Sequence, residues 1–219
     1  MSTRIQQSIL TRWEDPLLRR LARNMPGFVT SDRLTAVGLL GAMICGAGYV
    51  LARRDPGFFW LASFGLLVNW FGDSLDGHVA RARNAERPLY GFYVDHVTDL
   101  FSQLFIGLGL ALCGSVQPEV AGLALITYLI VVAATHMAQS VTGELHLSLG
   151  PLGPTEMRVV IVSLNAFLFF RHPVPFVRWG VPLTLVDLGI LAISLWGLGA
   201  MVVQAVHMAR QIALRDPPR

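Results

Sequence analysis

The chain has 219 residues, 53% of them hydrophobic and 14% charged, with a mean hydropathy of +0.55. Soluble domains carry about 25% charged residues, so this composition excludes both an ordinary soluble domain and a disordered chain and indicates a membrane protein. Its net charge of +3 comes with arginine as the sole basic type besides histidine, since the sequence has no lysine. Two cysteines, Cys45 and Cys113, lie in apolar runs at no metal-binding or disulfide spacing, and read as small core hydrophobes.

In chain order, the first 20 residues contain no uninterrupted apolar stretch of the kind a cleaved leader needs, which predicts a retained N-terminus. Residues 16–25, PLLRRLARNM, place Leu17, Leu18, Leu21 and Met25 on one side and Arg19, Arg20 and Arg23 on another. This predicts a short amphipathic helix lying at the membrane interface, with Asp15 as N-cap and Pro16 at its first position. Six apolar runs follow, at about 34–52, 57–81, 90–113, 119–140, 155–171 and 181–208. They approach the roughly 20 residues needed to cross a bilayer core of about 30 Å. The expected fold is therefore all-α, a six-span membrane helix bundle preceded by an interfacial helix. Its expected organisation is a cytoplasmic segment 1–29, a membrane domain 30–209 and a cytoplasmic tail 210–219. With the N-terminus inside, thirteen of the seventeen arginines fall on the cytoplasmic side, as the positive-inside rule requires. Trp60, Trp70, Trp179 and Tyr90 suit an aromatic belt.

The second run is apolar from Phe58 to Phe71 and then becomes abruptly polar over residues 72–99. Asp73 and Asp76 stand three apart and Asp95 and Asp99 four apart, so each pair projects from one helix face. A loop of about nine residues is short enough to make the two helices antiparallel neighbours. Four carboxylates would then meet near one membrane surface, where ionisable groups are expensive and functional. Such a cluster asks for a cation, and all-oxygen ligation favours Mg²⁺ or Mn²⁺. Two ions would suit an in-line displacement at phosphorus. Gly77 and Ala80 clear bulk from the same face, so a nucleotide or sugar can approach the backbone, and Arg81 offers a fixed charge to a diphosphate.

Written out, residues 73–99 read D-x2-D-G-x2-A-R, nine residues, then G-x3-D-x3-D, through Asp73, Asp76, Gly77, Ala80, Arg81, Gly91, Asp95 and Asp99. This pattern resembles the CDP-alcohol phosphotransferase family at every motif position. The resemblance implies a membrane transferase in which an alcohol hydroxyl attacks a CDP-linked lipid donor, commonly CDP-diacylglycerol, and CMP leaves. It implies Asp73, Asp76 and Asp95 as metal ligands and Asp99 as the general base, itself also able to touch a metal. Asp73, Gly77, Ala80 and Arg81 would face the nucleotide, and homodimerisation is a family-level expectation. His96 after Asp95, with Gly72 before Asp73, is similar to the branch handling choline or ethanolamine, which keeps a CDP-choline or CDP-ethanolamine transferase acting on diacylglycerol as an alternative.

A second polar insertion, residues 136–158, carries His136, Glu144, His146, Glu156 and Arg158 on the same expected side. Gly91, His96, His136, Glu144, Glu156 and Arg158 are therefore candidates for the pocket of a small polar acceptor. A phosphorylated acceptor would need more positive charge than Arg158 alone, from Arg83, Arg87 or the N-terminal arginines. The expected setting is the inner membrane of a bacterium, with the site on the cytoplasmic face, membrane lipids around it and no nucleic-acid partner. Outside this class, a membrane prenyltransferase and a divalent-cation carrier share the electrostatic logic. The first would normally separate its aspartate-rich segments more widely, and the second would hold its charges at mid-membrane.

Overall fold

The computed structural model describes residues 10–142, 154–171, 176–178 and 181–215. Within them the chain is all-helical apart from one small hairpin. Helix α1 (Thr11–Asn24) is followed by α2 (Ser31–Ala52), α3 (Phe58–Ala82), α4 (Pro88–Ala111), α5 (Pro118–Thr142) and α6 (Pro154–Phe170). Strands β1 (Phe176–Arg178) and β2 (Val181–Leu183) then precede α7 (Leu185–Arg215).

Local chemistry sets these boundaries. Helices α4, α5 and α6 each begin on a proline, whose missing N–H is no loss in a first turn. Helix α2 is capped by the Thr30 hydroxyl, which accepts from the Arg33 N–H at 3.3 Å. After α3, Asn84 turns the chain with a φ of 51°, a conformation asparagine tolerates. Helix α7 starts with a reciprocal cap: the Thr184 hydroxyl accepts from the Asp187 N–H at 3.2 Å, while Asp187 accepts from the Thr184 N–H at 2.7 Å. The other Asp187 oxygen accepts from the Gln117 N–H at 2.8 Å, tying the starts of α5 and α7 together.

Two expectations are corrected. Helix α1 begins at Thr11, so Pro16 lies inside it and Asp15 is not its N-cap. The last helix begins at Leu185, because Val181–Leu183 pairs antiparallel with Phe176–Arg178, with Val177 opposite Pro182.

Helix α2 is the centre of the packing. A Cβ added to Gly41 would lie 2.3 Å from the Asn69 nitrogen, and one on Gly72 would lie 2.3 Å from the Gly38 nitrogen, so α2 and α3 meet backbone to backbone. On another side, a Cβ on Gly109 would lie 2.6 Å from the Gly46 Cα, which brings α4 equally close to α2. Helices α3 and α4, expected to be direct neighbours, instead touch only sparingly and are joined through α2. From there α6 packs on α3, α5 on α4 and α7 on α5, and α1 lies against α3.

One apolar core includes Cys45, Tyr49, Phe59, Leu66, Ile106 and Leu168. A second, of Leu18, Ala22, Leu34, Leu75 and Val79, fixes α1 to α2 and α3. Buried amides supply the polar glue between helices: Asn165 accepts from Tyr49 Oη at 2.8 Å, and Asn69 donates to the Gly38 carbonyl at 3.0 Å. The exterior is strongly apolar, with Leu67 57% and Val203 70% exposed, as expected for a surface solvated by lipid. Among the described residues α2, α5 and α7 are long and apolar enough to cross a membrane by length and composition. Helix α3 carries Asp73 and Asp76 in its C-terminal half, α4 carries Asp95 and Asp99 in its N-terminal half, and α6 has 17 residues.

Candidate active site

Because α2 separates α3 from α4, their polar ends leave a cavity of about 370 Å³, lined by residues of α1 to α6. Asp73 from α3 and Asp95 and Asp99 from α4 reach into it, and one carboxylate oxygen of each lies within 4.8 Å of those of the others. All three are half-buried. Asp76 also lines the cavity but is turned toward α2, where its Oδ2 accepts from the Thr35 hydroxyl at 2.6 Å. Three convergent carboxylates, with a fourth one turn along α3, form an all-oxygen donor set that fits a hard divalent cation.

The motif residues between the two aspartate pairs lie at the cavity wall. Gly77, Ala80 and Arg81 line the cavity. Arg81 folds back over Gly77, so that a Cβ there would meet Arg81 Nη1 at 3.3 Å. A Cβ on Gly91 would meet nothing within 4 Å, which leaves the α4 backbone open to approach.

The acceptor-pocket candidates divide. Arg158, from α6, donates to Asp73 Oδ2 at 2.6 Å and to Asn69 Oδ1 at 3.2 Å, and lines the cavity. His136 lines it too, with its ring 3.8 Å from that of His96, which in turn stacks 3.9 Å from Phe92. His96, in the middle of this stack, does not line the cavity, and its Nδ1 lies 3.7 Å from Asp95 Oδ2. Glu156 does not line the cavity: its Oε1 accepts from the Leu10 N–H at 2.8 Å, at the start of α1. Glu144 lies outside the described residues.

Several cavity residues carry no sequence motif. Glu14 of α1 accepts from Trp70 Nε1 at 2.6 Å and the Ser74 hydroxyl at 3.2 Å, and its other oxygen accepts from the Thr155 hydroxyl at 2.9 Å. Trp70 is therefore engaged within the protein and is no simple belt residue. Asp15 pairs with Arg19 and meets His78 Nε2 at 3.1 Å. The Arg19 hydrogen bond holds the Asp15 carboxyl below the usual carboxylate range, against a smaller opposing effect of burial. The acidic Glu14-Asp15 pair opening an arginine-rich helix was the available signal. Thr35 and Tyr128 had none, because only the fold brings them to the aspartates.

The arginines near the cavity are mostly engaged. Arg83 donates to the carbonyls of Met25 at 3.1 Å, Pro26 at 2.8 Å and Val29 at 2.5 Å, clamping the link between α1 and α2. Arg87 reaches both Asp32 oxygens, at 2.5 and 2.6 Å, and stacks 3.9 Å above the Tyr90 ring. Arg33 donates to the Phe28 carbonyl.

A membrane helix bundle with a carboxylate cluster between two of its helices fits an integral membrane enzyme that handles phosphate esters with divalent cations. Comparison with known proteins narrows it: the model of the CDP-alcohol phosphatidyltransferase family matches residues 23–215, and the chain belongs to that family. It is a transferase of phospholipid biosynthesis. It is 27% identical over 165 residues to the archaetidylinositol phosphate synthase of Pyrococcus horikoshii, covering 74% of this chain and 85% of that one. It is 26% identical over 166 residues to cholinephosphotransferase 1 of Gallus gallus, covering 72% of this chain and about half (49%) of that longer protein. The crystal structure of Mycobacterium tuberculosis phosphatidylinositol phosphate synthase with CDP-DAG bound has the same fold, with a TM-score of 0.54 and 22% identity over 92% of this chain and 94% of that one. Membership of this family sets aside the prenyltransferase and cation-carrier readings.

Proposed function

We propose that the protein transfers a phosphatidyl group from CDP-diacylglycerol to the hydroxyl of a small alcohol, releasing CMP. The observation that carries this reading is the convergence of Asp73, Asp95 and Asp99 within 4.8 Å between the C-terminal half of α3 and the N-terminal half of α4. In this reading α2 to α7 are six spans, α1 lies at the cytoplasmic interface, and the cavity opens to the cytoplasm of a bacterial cell. Lipid donor would then enter from the inner leaflet and alcohol from the cytosol. The protein would work as a homodimer.

Asp73, Asp76, Asp95 and Asp99 would hold two divalent cations, Mg²⁺ or Mn²⁺. When bound, such ions neutralise charge on the diphosphate and on the leaving phosphoryl oxygen. Asp73, Gly77, Ala80 and Arg81 would bind the cytidine diphosphate, the absence of a side chain at Gly77 letting Arg81 lie flat along the helix. Asp99 would accept the proton of the attacking hydroxyl, a role for which a carboxylate within hydrogen-bond reach suffices. Arg158, fixed by Asn69 and Asp73, would orient Asp73.

The similarity to the chicken cholinephosphotransferase, together with His96 beside Asp95, favours one second reading, transfer of phosphocholine or phosphoethanolamine from its CDP ester to diacylglycerol. CMP release by the purified chain in detergent tests both. CDP-diacylglycerol with single alcohols should yield CMP that is lost on chelation. If it yields none and CDP-choline with diacylglycerol does, the second reading replaces the first.

A further inference from the structure

We infer that the acceptor of this enzyme is an alcohol bearing no phosphate group, neutral or cationic. This deepens the transfer reading above and rests on it. Both the inositol-type relatives named above carry the words inositol phosphate in their names, so the inference runs against a simple transfer of substrate by similarity.

The argument is one of charge. A phosphate monoester recognised in a partly desolvated pocket needs guanidinium or ammonium groups whose hydrogen bonds are available to it. Among the described residues the cavity lining holds eight carboxylates and three guanidiniums. Two divalent cations, bringing four positive charges, would still leave it short of neutral before the donor's diphosphate is added.

The three guanidiniums are moreover accounted for. Arg158 is paired with Asp73 at 2.6 Å and with Asn69. Arg87 is bound to Asp32 and stacked on Tyr90. Arg81 belongs to the helix face of Asp73, Asp76 and Gly77, where the donor's diphosphate is expected. Arg83, the other candidate from the same loop, is turned away onto the carbonyls of residues 25–29 and does not line the cavity. Arg19 is paired with Asp15, and Arg20 and Arg23 lie on a different surface of α1.

Beside the donor's diphosphate a dianionic acceptor would thus meet a field of its own sign, with Arg87 and Arg158 held by other partners and Arg81 set toward the donor. Discrimination of this kind works by repulsion of the wrong substrate as much as by attraction of the right one. A hydroxyl on a neutral or positively charged headgroup meets no such penalty. The half-exposed aromatic faces of Tyr90 and Phe92 at the cavity add apolar and cation-tolerant surface. The inference holds under both donor assignments, since diacylglycerol is itself a phosphate-free alcohol.

The test is CMP release by the full chain in detergent with Mn²⁺, using matched acceptors: inositol against inositol 1-phosphate, glycerol against glycerol 3-phosphate, and serine, ethanolamine and choline. A second arm uses CDP-choline with diacylglycerol. The expected result is turnover with at least one phosphate-free acceptor, at a rate 100-fold or more above any phosphorylated one. Addition of glycerol 3-phosphate should leave that rate unchanged. Preferential turnover of a phosphorylated acceptor overturns the inference while leaving the transferase reading intact. CMP from no combination of donor and acceptor overturns both.

Discussion

In the proposed mechanism Asp99 and Asp73 would divide two tasks between carboxylates of one cluster. With Asp99 as the base, Asp99→Asn should lower turnover by at least about 100-fold. Metal-dependent binding of a CDP ester should persist in that variant, as measured by equilibrium binding of labelled donor. Asp73→Asn should weaken that binding as well. Full activity in Asp99→Asn would refute its role. The ion pair of Arg158 and Asp73 at 2.6 Å, with side chains 14% and 23% exposed, compensates part of the cluster's charge. Arg158→Met should cost about 1–3 kcal/mol, and the loss in thermal stability should be larger with a chelator than with saturating Mn²⁺. Equal losses in both conditions would mean that Arg158 merely packs. At this scale the aspartates were legible because three- and four-residue spacings fix a helix face whatever surrounds them. Glu14 and Thr35 were not, since their partners lie 56 and 41 residues away in sequence.

At the scale of helices, the tightest constraint is the glycine contact of α2 with α3 and α4. A methyl at Gly41 would stand 2.3 Å from the Asn69 nitrogen, a backbone atom that cannot swing aside. Gly41→Ala should therefore cost about 1–3 kcal/mol or more, whereas Gly189→Ala in α7, with nothing within 4 Å, should be neutral or slightly stabilising. Thermal aggregation of the two variants in the same detergent compares them directly. Helix positions were readable from apolar run length and from prolines at the starts of α4, α5 and α6. The hairpin was not, because strands of three residues, one containing Pro182, carry too little periodicity. Nor was the separation of α3 from α4. A short loop argues for adjacency, and only the small residues of α2, read against both partners, reveal the wedge that opens the cavity.

For the whole molecule, α1 closes one side of the cavity through contacts that respond to pH in a defined direction. Asp15 has a lowered carboxyl pKa in the folded state, so its attachment contributes fully above the unfolded value of about 3.9. That contribution is lost as pH falls through the lower folded value. In a variant keeping Trp70 as its one tryptophan, fluorescence should stay constant from pH 8 to 5 and change below about pH 4. A transition centred above pH 5 would rule out Asp15 as its cause. Removal of divalent cations should lower thermal stability of the intact chain, and Mn²⁺ or Mg²⁺ should restore it where Ca²⁺, which favours more ligands and longer bonds, restores less.

The pairing of Asp73 with Arg158 also constrains biogenesis. The two residues are 85 positions apart, and at about 5–20 residues per second a ribosome needs roughly 4–17 s to make the second after the first. Helices α2, α3 and α4, held together by their own glycines, can assemble in that interval with the aspartate end still open to water. Arrival of α6 then closes the site by supplying Arg158 to Asp73 and Thr155 to Glu14. A nascent chain arrested before α6 would thus hold Asp73 without the arginine that pairs with it.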